Sequence, residues 1–389
     1  MQGENWITGA LEELRAAHLE RRLTGYSGTG GRIQADGRTL LNFSSNDYLD
    51  LARHPRVIEA AAKALQEYGA GATASRLVTG TLPLHDELER RLAALKGYPA
   101  ALVFGSGYLT NAGVISAVAG TGDLVLADRL AHASLLDAAV LSRARLLRFR
   151  HNNPAHLDDL LSRHPARQRL VVTESVFSMD GDLAPLPDIA SVVAKHDAML
   201  LVDEAHATGI FGPGGAGLVS EHQLSGFVNL SMGTTSKALG GYGGFVACSE
   251  AMRQWLINRA RSFIYSTAPA PSAIGAALGA LDVIAEQPGL GGELLQRAAR
   301  FRKHLQDAGL DTLNSASQIV PLRVGENAKA LSLSQRLREA GILAVAIRPP
   351  TVPAGTARIR FSISLAHAPA DLEEAADRII AAARTEGLA

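Results

Sequence analysis

The chain has 389 residues, a formal net charge of zero and 47% hydrophobic content, enough for a large core and a smaller second domain. Neutrality provides no electrostatic footprint for nucleic acid or an anionic membrane surface, so neither is an expected partner. One cysteine, Cys248, excludes an internal disulfide and a cysteine-cluster metal site, and no metal is expected.

The opening, MQGENWITGALEELRAAHLE, lacks the basic-then-apolar pattern of a signal peptide. No apolar run is long enough to span a bilayer; even AIGAALGALDVIAE carries Asp282 and Glu286. The expected location is the cytoplasm. Trp6 to Leu23 reads as a charged amphipathic helix and Thr39 to Phe43 as a strand. NFSSNDYLDL is a polar loop entering a helix from Pro55 to Gly69, and a second helix runs from His85 to Lys96. Short apolar strands then alternate with helical segments: Ala100–Phe104, Leu124–Ala127, Leu146–Phe149, Leu170–Glu174, Met199–Asp203, Val228–Met232 and Gly244–Cys248. They are continuous apolar runs, as expected for strands buried on both faces. The pattern predicts an α/β fold with a mostly parallel seven-stranded sheet covered by helices. A helix near Ala270 to Glu286 precedes QPGLGG, and the remainder mixes helices with the short strands IVPLRV, LAVAIR and ARIRFSIS. The expected organisation is an N-terminal helix-and-strand segment over 1–44, a large domain over 45–287 and a small α+β domain over 288–389.

In open α/β sheets ligands bind beyond the carboxyl ends of the strands. The segments there are GSGYLTN, RLAHASL, SVFSMDGD, EAHATG and TTSKALGG. GSGYLTN, Gly105 to Asn111, is a glycine turn opening a helix, whose N–H groups can hold a phosphate; taken alone it is a weak signal that reads first as an ordinary tight turn. It is neither a Walker A loop nor a dinucleotide fingerprint. DEAHATG places Asp203 at a strand end with His206 three residues on. A metal site would need further ligands, and a hydrogen-bonded turn is the plain alternative. Lys237 lies between two apolar stretches, where an amine is costly unless paired or neutralised. Such lysines are often reactive and form Schiff bases.

One explanation joins these pieces: a lysine for a Schiff base, an aspartate for a pyridinium nitrogen, and glycine amides with Ser/Thr hydroxyls for a phosphate. Pyridoxal 5′-phosphate (PLP) demands these groups. His132, in AHASL, is the candidate to stack on its ring, although a lone histidine there also reads as a capping or core residue.

NFSSNDYL, FSMDGD, VDEAH, TTSKALGG and AIRPPTVPAGTARIRFS, in this order over nearly the whole chain, resemble the α-oxoamine synthases. These are PLP enzymes of the aspartate aminotransferase fold (fold type I). Within that family the motifs most resemble the member that joins L-alanine to a pimeloyl thioester, on CoA or acyl carrier protein, in biotin synthesis. The resemblance implies that Lys237 holds PLP and exchanges the substrate α-proton. It implies that Asp203 pairs with the pyridinium nitrogen, that His206 bonds the ring oxygen O3′, that His132 stacks on the ring and that Ser178 lies near it. Gly107 and Tyr108 would contact the phosphate through backbone and Thr234 through its hydroxyl; Ser266 and Thr267 would reach it from the partner of a homodimer. Arg360 would clamp the amino-acid carboxylate, a planar anion that suits a bidentate guanidinium, with Asn46 orienting the same substrate. Arg21 and Thr351 would lie along the acyl-donor entrance.

Plain alternatives stand beside several of these. Arg21 belongs to an ERR run typical of a solvated face, Ser178 and Thr351 read as turn hydroxyls, and Arg360 alternates with Ile359 and Phe361 as a solvent-facing strand residue would. The chain departs from the family pattern at Asp50, Ala131 and Ala207, none in an ionic role. Rival readings are a glycine-using member such as 2-amino-3-ketobutyrate CoA ligase, a non-catalytic partner subunit, and an NAD-dependent dehydrogenase. The retained Lys237 argues against the second, and the missing GxGxxG after the first strand against the third.

Overall fold

The computed structural model describes residues 4–35 and 37–388. The chain divides into two compact units. One comprises residues 1–45, 179–181 and 296–389; the other comprises 46–178 and 182–295.

Strands β1 (Arg32–Ala35) and β2 (Arg38–Asn42) open the chain. Seven follow: β3 (Ala100–Phe104), β4 (Leu124–Asp128), β5 (Arg145–Phe149), β6 (Arg169–Glu174), β7 (Met199–Asp203), β8 (Leu230–Thr234) and β9 (Gly244–Cys248). The last four are β10 (Ile319–Gly325), β11 (Ile342–Leu343), β12 (Val345–Ile347) and β13 (Ala357–Ser362).

The unit of 46–178 and 182–295 is built on one sheet in the order β3-β9-β8-β7-β6-β4-β5. Six of these strands point the same way; β9 alone is antiparallel, to both its neighbours β3 and β8. Every residue of β3, β4, β8 and β9 is buried, the condition that makes their sequences mainly apolar, with Asp128, Ser231 and Thr234 as buried polar exceptions. Leu102, Val125, Val172, Leu201, Leu230 and Val246 lie in one core cluster with helix residues such as Val114, Ile115 and Leu135. The paired residues of β8 begin at Leu230 rather than Val228, although Asn229 N already donates to the Leu200 carbonyl of β7. The Val228 carbonyl accepts from Tyr98 Oη and the Asn229 side chain accepts from Leu200 N. The register then carries Thr234 to the end of the strand, opposite Gly244.

The other unit holds two three-stranded sheets, β1-β2-β11 and β10-β13-β12. Its aromatic core sets Phe43 against Phe301 at 5.5 Å, Phe361 at 5.8 Å and His367 at 4.5 Å between ring centroids. The first helix spans Asn5–Ala16 and no further. His18 takes a positive φ of 56°, and Leu19 N turns back to the Leu14 carbonyl, which ends the run expected to reach Leu23.

Candidate active site

The strand order brings together what the chain separates. The carboxyl ends of β3, β6, β7 and β8 and the start of β9 share one edge of the sheet. Glu174 and Asp203 face each other as the last paired residues of β6 and β7.

Lys237 lies in the turn after β8, partly buried, with Nζ 2.7 Å from His206 Nε2. The other ring nitrogen, His206 Nδ1, is 2.8 Å from Tyr48 Oη, and Tyr48 is wholly buried. Amine, imidazole and phenol therefore form one hydrogen-bonded line from residues 237, 206 and 48.

Asp203 is buried and held at both oxygens. Ala205 N donates to Oδ1 and Asn111 Nδ2 to Oδ2, each at 2.9 Å. The same Asn111 amide donates to Ser134 Oγ, which lies 2.8 Å from His132 Nδ1. The His132 backbone N–H donates to Glu174 Oε1 at 2.7 Å. Burial lowers the His132 pKa, Asp203 opposes that shift and Lys237 adds to it. Burial, reinforced by Asp203, raises the Glu174 carboxyl to about 8. Burial and the neighbouring Asp203 carboxylate thus favour the protonated form of Glu174.

Behind Asp203, Glu204 is paired with Lys96 at 2.8 Å, and both are buried. Val219 N and Ser231 Oγ donate to the same carboxylate, and Lys96 also donates to the Ala216 carbonyl. A buried pair so fully bonded fixes the DEAH turn; breaking one side would cost about 3–5 kcal/mol.

The helix Gly107–Val118 starts at this edge, capped by Ser106, whose Oγ accepts from Leu109 N. Its first backbone N–H groups, at Gly107 and Tyr108, precede the first intrahelical bond and point out of the helix end. The start of β9 approaches so closely that a Cβ at Gly244 would lie 2.6 Å from Gly107 N and 2.4 Å from Thr110 Oγ1. Thr234 is buried on β8, with its Oγ1 donating to the Gly243 carbonyl and accepting from Ser236 N. Tyr108 points its phenol to Asp137 at 2.8 Å. Ser178 is buried; Ser266 is partly exposed and Thr267 exposed, the latter bridged to Ser75.

Asn46 sits in this same unit, its Oδ1 accepting from Tyr48 Oη at 3.0 Å. Arg21, Thr351 and Arg360 belong to the other unit. Arg21 and Thr351 come together there despite 330 residues of separation, with Arg21 Nη2 3.4 Å from Thr351 Oγ1. Both line a cavity of about 520 Å³ with Arg22 and Arg348. Arg348 is tied to the backbone carbonyls of His18 and Glu20. Arg360 does not face solvent: it is buried on β13, and its Nη1 donates to Ser362 Oγ at 3.0 Å.

Sequence reasoning passed over Tyr48, Asn111 and Glu174, although each stands in or beside a segment singled out there: NFSSNDYL, GSGYLTN and the end of LVVTE. The signal was position; the contacts were invisible because the partners are 158, 92 and 42 residues away.

The donor set fits PLP. A lysine amine, a buried aspartate held in place by two N–H donors, a helix N-terminus beside a hydroxyl, and an imidazole bonded to the amine are the groups that cofactor needs. Among the described residues there is no cluster of three or more metal-ligating side chains.

The sequence model of the family "Aminotransferase class I and II" matches residues 38–379. The 8-amino-7-oxononanoate synthase of Geobacter sulfurreducens is 48% identical over 373 residues, 95% of this chain and 95% of that protein. A serine palmitoyltransferase from S. paucimobilis, solved with a bound PLP–myriocin aldimine, superposes with a TM-score of 0.94 at 31% identity, covering 99% and 98% of the two chains. The 8-amino-7-oxononanoate synthase of Francisella tularensis superposes with a TM-score of 0.77 at 27% identity, covering 90% and 99%. The chain belongs to the aminotransferase class I and II family, in the branch of the 8-amino-7-oxononanoate synthases.

Proposed function

We propose that the protein condenses L-alanine with a pimeloyl thioester, of CoA or acyl carrier protein, to give 8-amino-7-oxononanoate, CO2 and the free thiol, with PLP as cofactor. The observation that carries the reading is the amine of Lys237, 2.7 Å from His206 Nε2, with the carboxylate of Asp203 anchored three residues before that histidine.

Asp203 would hold the ring nitrogen, and its two N–H donors keep the carboxylate oriented. The backbone N–H groups of Gly107 and Tyr108 and the hydroxyl of Thr234 would hold the phosphate. His132, fixed between Ser134 and Glu174, would cover the ring face, with Ser178 beside it. When bound, PLP supplies an electron sink for negative charge on the carbon next to the amino nitrogen. Lys237 Nζ removes the proton from alanine Cα and returns one to the same carbon later; His206 Nε2 is its hydrogen-bond partner in both events. A C–C bond forms between that carbon and the thioester carbonyl, the C–S bond breaks, and the carboxylate leaves as CO2. Arg360 is proposed for the alanine carboxylate, because a buried planar guanidinium pairs with it bidentately. Asn46 is proposed to orient alanine. Arg21 and Thr351 are proposed for the acyl donor, beside the other arginines of their cavity.

A homodimer completes the proposal, with the partner's Ser266 and the partner's Thr267 reaching the phosphate. Support comes from the exposed apolar side chains of Tyr265, beside Ser266, of Tyr242, just after the Lys237 turn, and of Leu77 and Val78, just after the Ser75 that is bridged to Thr267. Among the described residues no helix is long and apolar enough to cross a membrane, and the proposed location is the cytoplasm.

The test is thiol release by the purified protein with PLP, L-alanine and pimeloyl-CoA, beside glycine with acetyl-CoA or succinyl-CoA. Alanine-dependent release from pimeloyl-CoA supports the proposal. Release only with glycine and a short donor overturns the substrate assignment and leaves the lysine chemistry standing.

A further inference from the structure

We infer that Tyr48 is a positioning residue for the reaction: its phenol fixes the imidazole of His206 and, through it, the amine of Lys237. The inference rests on the lysine chemistry proposed above but not on which amino acid or thioester is used.

Geometry carries it. Tyr48 Oη lies 2.8 Å from His206 Nδ1 and 3.0 Å from Asn46 Oδ1, while His206 Nε2 faces Lys237 Nζ at 2.7 Å. Tyr48 is completely buried, so water does not substitute for its hydroxyl. The segment that carries it is pinned: Leu51 N and Ala52 N donate to the Asp47 carboxylate at 2.9 and 3.2 Å.

The phenol has one proton and two places to send it. When Nδ1 carries the imidazole proton, the hydroxyl accepts from Nδ1 and donates to Asn46 Oδ1. The lone pair of Nε2 then accepts from a Lys237 ammonium. When the amine is neutral, the hydroxyl rotates to donate to Nδ1, and Nε2–H donates to the Lys237 lone pair. The two arrangements differ by one proton, lost from the amine–imidazole pair, and the phenol satisfies Nδ1 in both. An imidazole bonded in this way keeps its orientation through a change of protonation. Asp203, Glu174 and His132 are the charged or titratable groups around the amine and the same strand ends.

The experiment follows the visible absorbance of the bound cofactor against pH in the holoenzyme without substrates. Tyr48→Phe is expected to move the midpoint by about half a pH unit or more. It is also expected to lower kcat for thiol release about tenfold, with KM for the amino acid within about threefold. Tyr98→Phe is the control, because it removes a phenol that donates to the Val228 carbonyl and leaves the His206 line intact; its midpoint stays at the parental value. In a His206→Ala background, adding Tyr48→Phe produces no further shift. A midpoint unmoved by Tyr48→Phe, or an equal increment in both backgrounds, overturns the inference. If Tyr48→Phe fails to fold, Tyr48→3,5-difluorotyrosine keeps ring and hydroxyl but makes the hydroxyl more acidic. A shifted midpoint then supports the inference and an unchanged one overturns it. If the alanine and pimeloyl assignment fails, the substrate-free titration still reads Tyr48, so the two failures are distinguishable.

Discussion

Two histidines at the same edge of the large sheet illustrate how partners decide a side chain's behaviour. His151 has a carboxylate on each side: Nδ1 is 2.9 Å from Asp128 and Nε2 2.8 Å from Asp182. The edge of Phe177 packs near it at 4.4 Å, and Asn152 bonds the same two carboxylates. Burial works against its charge, yet the two carboxylates outweigh burial and raise its pKa to about 9. It is a cation held in a fixed clamp, joining the ends of β4 and β5 to the loop that carries Ser178. His206 instead stands between a phenol and an amine. Both partners can donate or accept, so neither side holds the ring by a fixed charge. Saturation by anions makes a pin, whereas partners of changeable protonation make a site for proton transfer.

Breaking the changeable side should have the largest effect. Lys237→Ala is expected to reduce thiol release by about 10⁴-fold or more, with the melting temperature nearly unchanged. Sustained turnover by that variant would remove lysine from the chemistry. Asp203→Asn should lower kcat by about a hundredfold or more, since a neutral amide no longer pairs with a ring cation. Steady-state kinetics at saturating PLP separate this from weaker cofactor binding.

On the pinned side the expected losses are of stability. His151→Asn should cost about 2 kcal/mol near pH 6, discounted for the partial exposure of the ring. The folded-state pKa is raised, so this contribution is fully present below the ordinary histidine value and is lost as pH rises through about 9. Chemical denaturation at pH 6 and pH 10 should show the gap between variant and parent closing. A constant gap would mean that His151 acts by packing alone.

The smallest effect is expected at Glu174. Its carboxyl is also raised, to about 8, so the protonated form favours the fold and stability falls as pH climbs from the carboxylate range to about 8. Glu174→Gln in the cofactor-free protein should flatten the pH dependence of the melting temperature over that window. An unchanged slope would mean that Glu174 does not titrate over that window.

Much of this molecule was legible in its residues. Apolar runs bounded by polar turns gave the strands of the large sheet, because a strand buried on both faces is mainly apolar, with polar residues such as Glu174 and Asp203 falling at the ends. The first helix shows the limit: charge periodicity alone continued it to Leu23, while the chain turns at His18. Strand β8 shows another, since its pairing starts at Leu230, two residues after the apolar run begins.

The candidate site divides in the same way. Strand ends and turns named the polar segments that gather at one edge, because a parallel sheet must place those ends together. Which side chains touch was settled only by folding. The line from Tyr48 through His206 to Lys237, the clamp of Asn111 on Asp203 and the burial of Arg360 depend on strand order and side-chain direction. The sequence by itself determined the elements and the chemistry available at their ends, through local patterning of apolar and polar residues. Only the tertiary structure decided which of two similar histidines is pinned as a cation and which can exchange its proton. That depends on partners tens to hundreds of residues away, and on the burial that makes each hydrogen bond count.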